Sequence, residues 1–360
     1  MRVVVLLCVV VGAACYSPQF PTGAPCDEIT PCPSALICSK SGTCERTDIQ
    51  SDIDASIEID APPDACVPTA ELCDDGIDQD CDGEDTSCAM NDQLGGAVNV
   101  TNGGTFSGNL LTANDNYVQR GCNGDGGRDV FYKVILTAPQ VYYFDTFGSD
   151  FDTSLRVFPG VACTALTQAV TPQCSDDECG TDNSQLAVTL PQGESCVVID
   201  QNSEATLGAL TLHVTRGGRT GTPLQGGMRT LTGDTCTATN VSNPSDPAAC
   251  SDSGNNAKDV AWYFTACPGV NRQLDASTCV DVTMVHFDTV MYVHKAGVQA
   301  DLVCRDDTSG CAVRPDRTDM KADGTVLTDV NVTGPGLFWL ILDAYETAAC
   351  GGYRLDTNLD

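Results

Sequence analysis

The stretch Asp129-Val130-Phe131-Tyr132-Lys133-Val134-Ile135-Leu136 is followed, in order, by Phe151-Asp152-Thr153, Cys174-Ser175-Asp176-Asp177 and Val198-Ile199-Asp200. The same order returns as Asp259-Val260-Ala261-Trp262-Tyr263, Phe287-Asp288-Thr289, Cys304-Arg305-Asp306-Asp307 and Ile341-Leu342-Asp343. Unlike motifs recurring in one order mean two copies of one domain, so what either copy shows about the fold counts for both. Val130, Tyr132, Val134 and Leu136 alternate with Phe131, Lys133 and Ile135. Leu155 and Val157 flank Arg156, and the same alternation runs through Leu186, Val188 and Leu190 and through Leu210, Leu212 and Val214. Period two with one apolar face means antiparallel strands laid on a core. Turn residues break the runs roughly every ten residues, and no stretch sustains a helical stripe. The expected fold is all-β: two tandem antiparallel β-sandwiches, repeat 1 over 91–222 and repeat 2 over 223–360.

Two small disulfide-stapled modules are expected ahead of them. Residues 1–14 place one Arg before an apolar run of roughly 12 residues, too short for a hydrocarbon core of about 30 Å, and so read as an export signal. Gly12-Ala13-Ala14-Cys15 resembles a bacterial lipobox, which makes Cys15 a lipidation site; cleavage after Ala14 by ordinary signal peptidase is the alternative. In 15–46, Cys26, Cys32, Cys38 and Cys44 fall six residues apart. So short a segment cannot bury a core, and two bridges of about 3 kcal/mol each must hold it. Residues 47–65 are acidic and end near Pro62-Pro63, an extended tether.

Of the 22 Cys, 20 remain after Cys8 and Cys15 are set aside, an even number that fits disulfides formed in an oxidising compartment. The repeats share Cys122, Cys174 and Cys179 against Cys250, Cys304 and Cys311. Repeat 1 adds Cys163 and Cys196; repeat 2 adds Cys236, Cys267, Cys279 and Cys350. Cys196 falls opposite Trp339, so the bridges diverged after the copying. Both totals are odd, which requires either a bridge between the repeats or a free thiol in each. Cys267 and Cys279 are placed to close a hairpin in repeat 2.

The net charge is −31, from 18 Lys+Arg against 49 Asp+Glu. Nucleic acid and anionic lipid headgroups would be repelled, which leaves the membrane to an N-terminal lipid alone. Divalent cations are the natural counterions. In 66–90, Asp74, Asp75, Asp78, Asp80, Asp82, Glu84 and Asp85 crowd between Cys73, Cys81 and Cys88, with Gly83 permitting a turn. Carboxylates about 4 Å apart repel by about 1 kcal/mol in water and about 4 at an effective dielectric of 20. A hard cation relieves this, and the oxygen donors favour calcium over copper. The alternative is a metal-free, solvated acidic knot. The second candidate set is the acids that both repeats keep: Asp129, Asp152, Asp177 and Asp200 with Asp259, Asp288, Asp307 and Asp343. These read either as one calcium site per repeat or as turn caps. Only Asp176-Asp177 and Asp306-Asp307 stand at ligand spacing.

Three resemblances add to this. The six-residue cysteine step resembles small Cys-rich knots of bacterial surface lipoproteins. The acidic stretch resembles the Asp-Gly-Cys metal-binding repeat of a bacterial copper-binding surface protein. Asp129-Val130-Phe131-Tyr132, Gly148 to Thr153, Cys174 to Asp177, Val197 to Asp200 and Gly208 to Leu212, with their counterparts in repeat 2, resemble the bacterial pre-peptidase C-terminal domain. That resemblance implies a sandwich with an accessory, binding or spacer role and calcium sites in some members. The chain departs from the protease-linked setting, since it has no protease domain.

No nucleophile elbow, His-Glu-x-x-His motif or glycine-rich phosphate loop appears. His213 lies on a polar face; His286 and His294 can share a strand face in repeat 2 only. Trp262 and Trp339 sit in apolar runs and read as core. The expected function is a non-catalytic surface lipoprotein of a Gram-negative outer membrane, binding a glycan or a surface protein. The alternatives are a secreted hydrolase with a loop-built site and a calcium-stiffened stalk with no ligand.

Overall fold

The computed structural model describes residues 36–38, 40, 42–46, 68, 72–73, 77–79, 81, 83–117, 122, 127–202, 208–245, 250, 256–279, 285, 287–311 and 324–360. They belong to two compact units, residues 1–66 and 67–360. In the first, β1 (Leu36–Cys38) and β2 (Cys44–Arg46) form an antiparallel hairpin, with Cys38 facing Cys44 across the ladder. Both cysteines are disulfide-bonded.

The second unit holds both repeats. Repeat 1 comprises β3 (Val98–Asn99), β4 (Gly104–Asn109), β5 (Asp129–Leu136), β6 (Gln140–Asp145), β7 (Thr153–Phe158), β8 (Gln173–Ser175), β9 (Gln185–Leu190), β10 (Gly193–Gln201) and β11 (Ala209–Arg216). Repeat 2 comprises β12 (Thr222–Pro223), β13 (Gly227–Asp234), β14 (Val260–Ala266), β15 (Asn271–Ser277), β16 (Thr289–Lys295), β17 (Asp301–Arg305), β18 (Val326–Thr333), β19 (Gly336–Ala344) and β20 (Gly352–Leu359). The sheets of repeat 1 run β3-β5-β10-β7-β8 and β4-β11-β6-β9; those of repeat 2 run β12-β14-β19-β16-β17 and β13-β20-β15-β18. Adding nine to every label of one repeat gives the other, so the duplication extends to each strand neighbour. No α-helix occurs among the described residues. One detail differs from the antiparallel expectation: β3 and β12 run parallel to β5 and β14. The chain passes through the opposite sheet between them, which supplies the crossover a parallel pair needs.

Period-two alternation builds the cores. Val130, Tyr132 and Val134 with Val197 and Ile199 face Phe144, Leu210 and Leu212 in repeat 1. Trp262, Phe264, Leu340 and Leu342 face Leu274, Val332 and Leu355 in repeat 2. The opposite face of each five-stranded sheet is also buried, which alternation alone does not foretell. In repeat 1, residues 159–172 fold back over Phe131, Phe158 and Val198, with Leu166 packed down and Cys163 bridged to Cys196. In repeat 2 the cover is repeat 1 itself: Val141 and Tyr143 of β6 pack with Tyr263, Tyr292, Trp339 and Ile341.

The link between the repeats is threaded into this contact. The Gly217 N–H donates to the Val141 carbonyl and the Val141 N–H to the Arg219 carbonyl, both at 2.8 Å. A Cβ on Gly217 or Gly221 would stand 2.8 or 2.5 Å from the Trp339 ring, so only glycine fits. The Arg219 guanidinium lies 5.7 Å from the Trp339 ring centroid and donates to the Asp259 carboxylate.

Seven disulfides lie among the described residues: Cys73–Cys88, Cys122–Cys174, Cys163–Cys196, Cys179–Cys267, Cys236–Cys350, Cys250–Cys304 and Cys279–Cys311. So many bridges belong to a protein that folds in an oxidising, extracytoplasmic compartment. Cys179–Cys267 joins the repeats and resolves the odd totals. It also corrects the Cys267–Cys279 hairpin. β14 and β15 belong to different sheets, and the seven residues of β15, at roughly 3.4 Å each, separate two thiols that would need Cα atoms within about 7 Å.

Arg219→Met keeps the stem but leaves the buried Asp259 carboxylate without its guanidinium. A loss of about 3–5 kcal/mol is expected, read as a lower urea midpoint.

Candidate metal sites at the corners of the two repeats

Antiparallel register creates the site. Leu155 of β7 pairs with Ser175 of β8, so Asp152, just before β7, meets Asp176 and Asp177, just after β8. Met291 of β16 pairs with Arg305 of β17, which brings Asp288 to Asp306 and Asp307 in the same way. In each triad one oxygen per carboxylate lies within 4.8 Å of the others. Asp177 and Asp307 are exposed while the other members are half-buried, so each cluster opens to solvent on one side.

A buried hydroxyl knot holds each corner. In repeat 1 the Thr146 and Thr153 hydroxyls lie 2.6 Å apart, and the Ser184 hydroxyl donates to the carbonyls of Thr153 at 2.6 Å and Ser175 at 3.0 Å. In repeat 2 the Thr289 hydroxyl lies 2.9 Å from that of Thr278 and 3.0 Å from that of Thr325. Thr153 and Thr289 end the repeated Phe-Asp-Thr motif, so the Asp before each leaves the core in a fixed direction. The acidic turns are also pinned at both ends by bridges: Cys174 and Cys179 in repeat 1, Cys304 and Cys311 in repeat 2. In repeat 1 the turn adopts the left-handed region at Asp177 (φ 48°) and Cys179 (φ 63°).

Burial pushes the Asp152 carboxyl up; the Asn202 amide, donating at 3.0 Å, lowers it, and the Asp177 and Asp182 carboxylates add to the rise. The other Asp152 oxygen is buried without a hydrogen-bond partner among the described residues. Crowded carboxylates with an unsatisfied oxygen fit a hard cation.

The structure divides the candidates read from sequence. Asp152, Asp177, Asp288 and Asp307 meet at the corners. Asp176 and Asp306 join them; the repeated Cys-x-Asp-Asp carried that signal. Asp129, Asp200, Asp259 and Asp343 lie instead at the buried ends of the central strands. Asp129 accepts the Asn116 and Tyr117 N–H groups at 2.9 and 2.8 Å. Asp200, opposite Asp129 in the ladder, pairs with Arg156. Asp259 pairs with Arg219 and accepts the Val241 and Ser242 N–H groups at 2.6 and 3.0 Å, and Asp343 accepts the Ala344 N–H at 2.8 Å. Each of these oxygens holds a buried strand end or loop.

In the acidic cysteine stretch, Asp78 accepts the Gly83 N–H at 2.9 Å and Glu84 is exposed. Asp85 is half-buried. Cys73 is anchored to repeat 1, its N–H donating to the Asn114 side-chain oxygen at 3.2 Å. Cys73 and Cys88 approach the buried Asp92, but their sulfurs are bonded to each other. Asp74, Asp75, Asp80, Asp82, Cys15 and His286 lie outside the described residues. His213 and His294 each hold an aspartate through Nδ1, Asp145 at 2.8 Å and Asp301 at 2.9 Å. Trp262 is core, and Trp339 is buried where the repeats meet.

No known family profile matches the sequence, and no curated protein sequence matches it. Among solved structures the chain is similar to the pre-peptidase C-terminal domain of collagenase from Bacillus anthracis: 8% identity, TM-score 0.23, covering 33% of this chain and 93% of that one. It is similar to the ANX1 ectodomain from Arabidopsis thaliana at 9% identity and TM-score 0.20, covering 64% and 81%. It is similar to the CUB1-EGF-CUB2 domain of human MASP-1/3 at 7% identity and TM-score 0.16, covering 71% and 99%. These likenesses concern β-architecture and bear on neither ligand nor activity.

The buried acids generate a pH dependence. Burial pushes Asp129 up to about 8, and it pushes Asp200 and Asp343 up to about 7, with Arg156 pulling Asp200 back. A carboxyl raised by folding stabilises the fold while protonated. That contribution is complete below about pH 4 and is lost as pH rises through 7 to 8. The melting temperature is expected to fall between pH 5 and pH 9, and Asp129→Asn, which mimics the protonated carboxyl, to flatten that fall in a scanning-fluorimetry series.

Proposed function

We propose that this chain is a non-catalytic, exported surface protein whose two sandwiches each hold one calcium ion at an acidic corner and together present a ligand. The observation that carries this reading is the recurrence of one three-carboxylate corner in both repeats. One bridge at each corner is common to both repeats, Cys122–Cys174 and Cys250–Cys304; the other differs in its partner and in repeat 1 leaves the repeat altogether, yet the carboxylates occupy matching places. Their donors are hard oxygens, which favour calcium over copper. Asp152, Asp176 and Asp177 would hold the ion in repeat 1, and Asp288, Asp306 and Asp307 in repeat 2. Calcium at these positions would neutralise crowded carboxylates and tie β7 to β8 and β16 to β17. A glycan or another surface protein is the proposed partner. A calcium-stiffened stalk is the second reading, favoured by the disulfide and the buried contact that lock the repeats together.

Metal analysis of the purified ectodomain is expected to return two calcium ions per chain, and Asp177→Asn and Asp307→Asn to remove one each. Calcium at 100 times its dissociation constant adds about 2.7 kcal/mol per site. A melting temperature indifferent to calcium and to chelator would defeat the ion sites. Lipid attachment at Cys15 is part of the same proposal. Cys15→Ala is expected to move the protein from the membrane fraction to the soluble fraction, checked by detergent partitioning.

A further inference from the structure

The two repeats differ on one face. In repeat 1 the outward side of the four-stranded sheet carries Val141, Tyr143 and Ala187, which pack into the contact with repeat 2. The hydroxyl knots fix the correspondence. Counting from Thr146 and Thr278, Val141 matches Gln273 and Tyr143 matches Asp275. Counting from Ser184 and Thr325, Ala187 matches Thr328. The apolar contact set of one copy is therefore polar in the other.

The backbone differs at the same place. β6 and β9 pair without a break from Gln140 opposite Leu190 to Asp145 opposite Gln185. β15 and β18 shift register between Leu274 and Ala276, with Asp329 in the left-handed region at φ 51°. Asp275 holds this bulge, one carboxylate oxygen accepting the Asp329 N–H at 2.8 Å. A bulge twists an edge strand and re-aims its side chains. Here it accompanies a groove of about 400 Å³ that crosses all four strands, lined by Met228, Thr230, Asp275, Ser277, Thr328 and Asn358 among others.

The lining selects the ligand. Asp356 accepts the Thr230 hydroxyl at 2.7 Å and pairs with Arg354, and Arg229 also lines the groove, so the Asp275 and Asp356 carboxylates have two guanidinium groups near them in a chain of net charge −31. A polyanion needs a basic surface, and a protein partner needs aromatic or large apolar anchors. This groove offers instead two carboxylates, an amide and four hydroxyls, with Met228 83% exposed beside them. Hydroxyls that must each donate and accept, carried on a ring with an apolar C–H face, match that set. We propose that the outward groove of repeat 2 binds a neutral oligosaccharide, a proposal that rests on reading the chain as a ligand-presenting surface protein.

The test uses the complete ectodomain on an array of neutral glucans, mannans, galactans and xylans. Calorimetric titration with the best-retained oligosaccharide follows. Asn358→Ala and Thr328→Arg alter outward side chains and are expected to weaken binding at least about tenfold while melting temperatures stay within about 2 °C. The proposal falls if the array retains nothing, if both variants bind like the parent, or if affinity drops only as the melting temperature drops. Binding abolished by chelator and by Asp177→Asn, but untouched by the groove variants, would move the ligand to the acidic corner. Retention of a random-peptide array instead, lost in the same groove variants, would replace the sugar with a protein partner. A silent sugar array beside an intact calcium response would remove this proposal and leave the calcium sites standing.

Discussion

The Arg219 guanidinium, carried on the link between the repeats, neutralises a carboxylate in the interior of the second one. Repeat 1 meets the same need from its own sheet: Arg156 on β7 lies opposite Val198 and pairs with Asp200. The matching position on β16, opposite Ile341, is Tyr292. Asp259 and Asp343 therefore sit in a second buried acid pair whose cation arrives from outside the sandwich. A buried carboxylate stripped of its cation costs several kcal/mol, so the path of the link is fixed once repeat 2 folds. Gly217 and Gly221 then have to pass flat against Trp339, β6 has to lie over Tyr263 and Ile341, and Cys179 arrives beside Cys267. The link is an internal part of repeat 2 as much as a tether to it.

Much of this was legible in the sequence. The order of motifs announced the duplication, because strands that share a core must keep both their spacing and their alternation. The odd cysteine totals announced a bridge between repeats or free thiols, since pairing is arithmetic. Of the shared acids read as metal ligands, four lie at the corners and four at buried strand ends, where Asp200 and Asp259 meet an arginine and Asp129 and Asp343 accept backbone N–H groups. At the level of residue type, Asp129 and Asp152 are alike; what separates them is whether the register aims the carboxylate along the strand end into the core or outward at a corner. Asp176 and Asp306 were visible in the Cys-x-Asp-Asp motif, but their part in the cluster depends on a pairing between β7 and β8, and between β16 and β17, that spacing alone does not fix. The hydroxyl knots were hidden for a related reason. Thr146, Thr153 and Ser184 come from three separated segments and show no local pattern.

The copies also show how a duplicated sandwich diverges. Their cores and acidic corners are held in common, because hydrophobic packing and crowded carboxylates tolerate little rearrangement. Outward faces had more freedom. One five-stranded sheet acquired a covering segment and the Cys163–Cys196 bridge; the other acquired Trp339 and a neighbouring domain. One four-stranded sheet has a regular edge and an apolar patch, while the other has a bulge and a groove.

The segment 159–172 has a consequence for assembly. The contact between the repeats is heterologous: one kind of sheet face meets another, with no two-fold axis between them. Contacts of that kind propagate, and unless a rotation closes the ring they build open filaments. A chain made of two such repeats carries, in principle, a free acceptor face at one end and a free donor face at the other. The covering segment closes off the first, and Gln273, Asp275 and Thr328 make the second unsuitable for an apolar partner. Further growth through this one kind of contact is therefore opposed at both ends.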